Sequence, residues 1–142
     1  MTLGLRNNNP LNIRRVAGTK WKGQAAEQKD KEFVQFESLA WGLRAAFCIL
    51  NTYRRKYKAV CVEDIINRWA PPSENATSEY IRTVCRLTGF GGKERLAEDQ
   101  LPALVCAMAF VECGAHISKE TILKGYNLFK EIQNSKLKNQ KL

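Results

Sequence analysis

Residues 101–114 read LPALVCAMAFVECG, an apolar segment that carries one charge, Glu112. Counting back from it, Met108, Val105, Leu104 and Leu101 stand four, seven, eight and eleven positions away, offsets that share one face of an α-helix. Such a stripe has to be covered by the rest of the domain, and Glu112 extends it one turn before Gly114 can end the helix. A carboxylate placed there loses hydration and also meets the negative end of the helix dipole. Both effects raise its pKa. A carboxylic acid that keeps its proton near neutral pH is what general-acid chemistry requires. The alternative is an ordinary glutamate at a helix end, pointing to water beside the core.

A chain of 142 residues with 44% apolar content supports one domain with a genuine core, expected over 1–134, followed by a basic flexible tail at 135–142. No apolar run approaches membrane-spanning length, and MTLGLRNNNPLNIRR lacks a signal-peptide core, so cytoplasmic synthesis without membrane insertion is expected. The five cysteines are odd in number, widely spaced and without a Cys-x-x-Cys pair, and they read as reduced core residues rather than metal ligands. A net charge of +9 favours an anionic partner. Nucleic acid is not the expected one, because no recognition-helix or aromatic RNA-binding motif accompanies the charge. A monomer is expected.

Along the chain, the asparagine-rich stretch from Leu5 to Arg15, with Pro10, predicts an ordered loop rather than a helix. Trp21 and Phe33-Val34-Gln35-Phe36, with a polar centre between them, predict a small N-terminal β-hairpin. From Leu43 the period changes: Leu43, Ala46, Phe47, Leu50 and Tyr53 or Tyr57 mark a long amphipathic helix. A short helix at Val62 to Trp69 stops at Pro71-Pro72. Asn75 or Thr77 can cap the next helix, with Tyr80, Ile81, Val84 and Leu87 inward, before Gly89, Gly91 and Gly92 break it. Asp99 is the expected cap of the helix that holds Glu112, and Ser118 opens a last helix with Ile122, Leu123, Tyr126 and Phe129 inward. The domain is mainly α.

Candidates for chemistry are few. His116 is the single histidine, in the loop after Glu112, either lining the same cleft or standing as a polar loop residue. Nucleophilic triads, His-rich metal sites and phosphate-cradling loops find no support, so neither metal nor cofactor is expected. Carboxylates remain. Glu74 precedes a helix, where a negative charge is also favourable structurally. Glu27, Asp30, Glu32 and Glu37 lie in or near the hairpin; the first three read as solvated turn residues, the alternative being that one of them faces a cleft as the second acid of a glycosidase.

GLRNNNPLNIR, the Trp21-Lys22-Gly23 turn, FVQFESLAWGLRA and RWAPPSENATSEY together resemble a family of small phage and prophage proteins, lysozyme-like and peptidoglycan-degrading or virion-associated. The resemblance runs from Gly4 to about Gly114. A second is to glucosaminidases and lytic transglycosylases of the lysozyme superfamily. Asn9-Pro10-Leu11-Asn12-Ile13-Arg14 is similar to their Asn-Leu-Phe-Gly-Ile-Lys-like loop, FVQFES to their Phe-x-x-Tyr-x-Ser segment, and Trp69-Ala70 through Tyr80 to their Tyr-Ala-Thr-x-x-x-Tyr stretch. Their glutamate helix comes first, whereas AMAFVECG comes last. That order is what a circular permutation of a lysozyme-like domain produces, and it requires Glu112 to meet Asn9 and Trp69 in space.

What the resemblance implies is a peptidoglycan-cleaving glycosidase with Glu112 as acid; Glu32 and Glu74 are candidate catalytic carboxylates, and the identity of a second carboxylate stays open. The enzyme acts on the wall after release or from a virion. Asn8, Asn9 and Asn12 would hold sugar hydroxyls and acetamido groups, Trp21, Trp69 and Tyr80 would stack on sugar faces, and His116 would border the cleft. For Trp69 a core position is the competing reading. The alternative function is a non-catalytic virion or wall-binding protein on the same fold.

Overall fold

The computed structural model describes the backbone of residues 1–140 and the side chains of residues 1–131. A single helical turn, α1 (Leu3–Arg6), takes Leu5 and Arg6 out of the expected loop, because the Arg6 and Asn7 N–H groups close on the Thr2 and Leu3 carbonyls at 3.0 Å each before the asparagine stretch begins. The long helix α2 (Leu39–Tyr57) opens at Ser38, whose side chain accepts from the Trp41 main-chain N–H at 3.4 Å. It buries the expected stripe, Leu43, Ala46, Phe47 and Leu50. Tyr53 rather than Tyr57 continues that face, since Tyr57 is exposed. Helix α3 (Val62–Trp69) carries Glu63 and Asp64 in its first turn, where the helix dipole favours them, and ends before Pro71.

Helix α4 (Thr77–Thr88) is capped by neither expected residue. Asn75 turns its amide back to the Pro71 carbonyl, and the buried Thr77 hydroxyl donates to the carbonyl of Ala70, tying the start of α4 to the end of α3. Tyr80 and Val84 are buried and Ile81 half-buried, but Leu87 lies outside the packed face. Before α5 (Leu101–Cys113), a 3-10 turn at Glu98–Gln100 replaces the Asp99 cap, closed by the Gln100 amide oxygen accepting from the Ala97 N–H at 2.7 Å. Ser118 opens α6 (Lys119–Gln140) by accepting from the Thr121 N–H at 3.2 Å, and Ile122, Tyr126 and Phe129 face inward. The backbone of α6 runs in helix to Gln140, while the side chains of the expected 135–142 tail lie outside the described residues.

The expected N-terminal hairpin does not form among the described residues. Segment 33–37 makes isolated antiparallel bridges on both sides, Phe33 to Arg14 and Phe36 to Gln24. The physical reason is competition from side-chain amides for the ladder groups. Gln28 donates to the carbonyls of Ala25 and Gln35 at 2.8 Å each, and its own oxygen accepts from the Gln35 N–H at 2.8 Å. Asp30 accepts from the main-chain N–H groups of Glu32 and Phe33, curling the polar centre inward instead of letting two strands zip.

Helix α5 is the centre of the packing. It touches α1, α2, α4 and α6, which is why Ala107, Ala109 and Cys113 are buried as well as the Leu101, Leu104, Val105 and Met108 stripe. Helices α2 and α6 form the most extensive helix pair. They approach closely at Gly125, where an added Cβ would stand 2.6 Å from the Leu43 Cβ, and Phe47 packs against the rings of Tyr126 and Phe129 at 5.0 and 6.1 Å. No helix among the described residues is long and apolar enough to cross a membrane.

Candidate active site

Glu112 lies on the last turn of α5, whose C-terminus is closed by Gly114 at φ 72. Its Oε2 accepts from the Trp69 indole N–H and from the Tyr80 hydroxyl, each at 3.1 Å. Asn12 donates to the Glu112 main-chain carbonyl at 3.1 Å and lies 3.5 Å from Oε1. Three segments far apart in sequence thus converge on one carboxyl group: the asparagine loop, the end of α3 and the first half of α4. One oxygen holds two strong donors, and the other has a single long contact.

The electrostatics follow from that geometry. Burial is the dominant influence and raises the Glu112 pKa from its ordinary value of 4.5, while the donors Trp69, Tyr80 and Asn12 and the charge of Arg14 pull the other way. The net direction is upward. Burial, reinforced by the charge of Glu112, holds the Tyr80 phenol well above its ordinary value, so Tyr80 acts as a donor throughout the physiological range. Burial likewise raises the thiols of Cys61, Cys85, Cys106 and Cys113, which keeps even the neighbour of Glu112 protonated and unreactive.

Glu112 opens into a cleft of about 480 Å³, whose lining includes Asn12, Arg14, Trp21, Tyr53, Trp69 and Glu74. The volume lies in the range that holds a small ligand or a few sugar rings. The structure therefore brings five of the sequence-derived residues, Glu112, Asn12, Trp21, Trp69 and Glu74, to one cleft. Tyr80 joins from below, through its hydroxyl rather than an exposed ring face, and is buried. Trp69 lines the cleft with its N–H committed to Glu112 and its ring edge-on to Tyr53 at 6.5 Å.

The remaining candidates stand elsewhere. Asn9 is fully buried, donates to the carbonyls of Ile13 and Val34 at 2.9 Å each, and accepts from the Ile13 N–H, so its amide presents nothing to a ligand. Asn8 donates to the Phe36 carbonyl at 3.1 Å. These two asparagines build the loop that Asn12 uses to reach Glu112. Asn8 and Asn12 both adopt φ 53, a left-handed conformation that asparagine tolerates better than most residues. Glu32 pairs with Arg14 at 3.6 Å on the exposed rim, and His116 stacks on Phe110 with ring centroids 4.3 Å apart. Arg14 and Tyr53 were not among the expected site residues. Tyr53 belonged to the α2 stripe, a signal equally compatible with core.

The fold and site define a small, mainly helical domain with a half-buried glutamate at a cleft. By its similarity to a known protein, the chain belongs to the family of phage Protein P5. It is 40% identical to "Protein P5" of Pseudoalteromonas phage PM2 over 126 residues, which cover 87% of this chain and 79% of that protein. No family model matches the chain.

Proposed function

We propose that the protein is a peptidoglycan-cleaving glycosidase of phage origin, a muramidase, glucosaminidase or lytic transglycosylase, with Glu112 as general acid on a circularly permuted lysozyme-like domain. The observation that carries this reading is the carboxyl group of Glu112. It is half-buried at a cleft with a raised pKa, and its Oε2 is held by Trp69 and Tyr80. With Oε2 accepting both donors, the proton belongs on Oε1, the oxygen nearer Asn12. Donation to a glycosidic oxygen leaves a carboxylate behind. The indole and phenol donors then strengthen their bonds to it, stabilising the transition state more than the ground state.

In this reading the Asn12 amide and the rings of Trp21 and Trp69 contact the glycan. Glu74, the other acid lining the cleft among the described residues, serves as second carboxylate, whereas the charge of Glu32 is offset by Arg14. The permutation is supported by chain order: α5 ends at the acid, and the asparagine loop that follows it in the unpermuted arrangement meets it through Asn12. The decisive experiment is digestion of purified sacculi by the full chain beside Glu112→Gln. Release of muropeptides by the parent and its loss in a folded variant is the expected result; equal release by both removes Glu112 as acid. No release by either leaves the wall-binding, non-catalytic virion role. Anhydro against reducing ends in the products, read by mass spectrometry, separates transglycosylation from hydrolysis.

A further inference from the structure

Two further hollows adjoin the central cleft, and their charged linings are of opposite sign. Beyond Trp21 a hollow of about 490 Å³ shares Val16, Thr19 and Trp21 with the central cleft. Its charged lining consists of Arg15 and Lys31, with no carboxylate. Arg15 is anchored rather than loose: its Nη1 donates to the Asp30 carbonyl at 2.8 Å and its main-chain N–H to the Glu32 carbonyl at 2.8 Å. Most of its five donors remain for a ligand. Of the nearby acids, Asp30 also attracts Arg15 through its charge, which offsets part of this hollow's positive potential. Asp30 accepts from the Glu32 and Phe33 N–H groups, which together hold its pKa below the ordinary value, and Glu32 pairs with Arg14. Gln24, also in this lining, accepts from the Trp21 N–H at 3.1 Å and keeps its NH2 as a further donor. The other hollow, of about 310 Å³, shares Asn75 and Glu112 with the cleft and carries Glu79 with no cation.

We infer that the arm beyond Trp21 is a binding site for an anionic group carried by the polymer, with Arg15 and Lys31 as its ligands. This rests on the glycosidase reading for what the polymer is, but not for whether the arm binds an anion. Two wall chemistries supply such a group: the carboxylates of the stem peptide, and the phosphates of a wall-linked polymer. Both present oxygen anions that an arginine fork and a lysine ammonium recognise.

The test measures retention on sacculi in the full-length Glu112→Gln background, so that turnover plays no part. Adding Arg15→Gln with Lys31→Gln should weaken retention on intact sacculi about 3- to 10-fold, the change produced by losing two exposed ionic contacts. Lys31→Glu alone should weaken it in the same direction. Both side chains are exposed, and matching melting curves check that the variants fold. If the anion is the stem carboxylate, the difference disappears on strands stripped by an amidase and persists after phosphate removal with hydrofluoric acid; if it is phosphate, the pattern reverses. Equal retention of parent and double variant on intact sacculi overturns the proposal. So does no retention of the parent, or a difference that survives both treatments. A failure of Glu112 to support cleavage while the retention difference holds would sink the glycosidase reading and leave this arm standing.

Discussion

At Glu112, two opposed influences meet on one carboxyl group, and their balance makes testable claims. Trp69 and Tyr80 stabilise the charged form, so removing either donor should raise the Glu112 pKa further. General-acid activity is lost as pH rises through that pKa. In Tyr80→Phe or Trp69→Phe the alkaline limb of the pH–activity profile should therefore move to higher pH, even as the rate falls; an unmoved or acid-shifted limb would detach these donors from the acid. The same balance bears on stability. Because the folded-state pKa lies above the ordinary 4.5, the folded state holds its proton longer than the unfolded chain does. Stability contributed at this site is present below about pH 4.5 and is lost as pH rises from there through the folded pKa. Glu112→Gln should accordingly melt higher than the parent at pH 8 and close to it at pH 4. A variant less stable at pH 8 contradicts the raised pKa.

Among the elements, close approach matters more than propensity. Gly42 sits inside α2, where alanine ordinarily stabilises by about 1 kcal/mol. Here an added Cβ would meet the Asn8 carbonyl oxygen at 2.1 Å, so the asparagine loop is pressed against the helix backbone. Gly42→Ala should destabilise by about 1–3 kcal/mol, read by denaturant unfolding, because the loop must shift. Asn12 shifts with it, so activity should fall too. An alanine variant as stable as the parent would show that the loop yields freely. The buried bond from Thr77 to the Ala70 carbonyl is a second such joint. Thr77→Val leaves that carbonyl unsatisfied and should cost about 1–3 kcal/mol in the same measurement.

For the whole molecule, the net charge of +9 acts at the range of the ionic atmosphere. Binding to an acidic wall should weaken steadily as salt rises and the Debye length contracts from about 10 Å at 0.1 M to about 3 Å at 1 M. Co-sedimentation with sacculi across that range checks it, and salt-independent binding would assign the affinity to uncharged contacts in the cleft. At this scale the domain is a helical assembly around α5, and that much was legible in the amino-acid pattern. The apolar offsets of Leu101, Leu104, Val105 and Met108, the α2 stripe, the α3 stop at Pro71 and the inward face of α6 all follow from a local period that burial rewards. The small β element differs from its expectation for an equally local reason: strand-like residues in 33–37 are present, but the amide of Gln28, seven residues from Gln35, takes the main-chain groups that a ladder would use.

The amino-acid pattern alone specified the five longer helices and the place of Glu112 at the end of the central one's apolar stripe, because both depend on the repeat of an α-helix; the short turns at Leu3–Arg6 and Glu98–Gln100 carry no such repeat. Only the tertiary structure decided what that glutamate touches. Its partners Asn12, Tyr80 and Trp69 lie 100, 32 and 43 residues away along the chain. It also divided three neighbouring asparagines between scaffold and site. A hydrogen bond across that separation leaves no periodic trace in sequence, since it forms only once the helices have packed and brought the donors within reach.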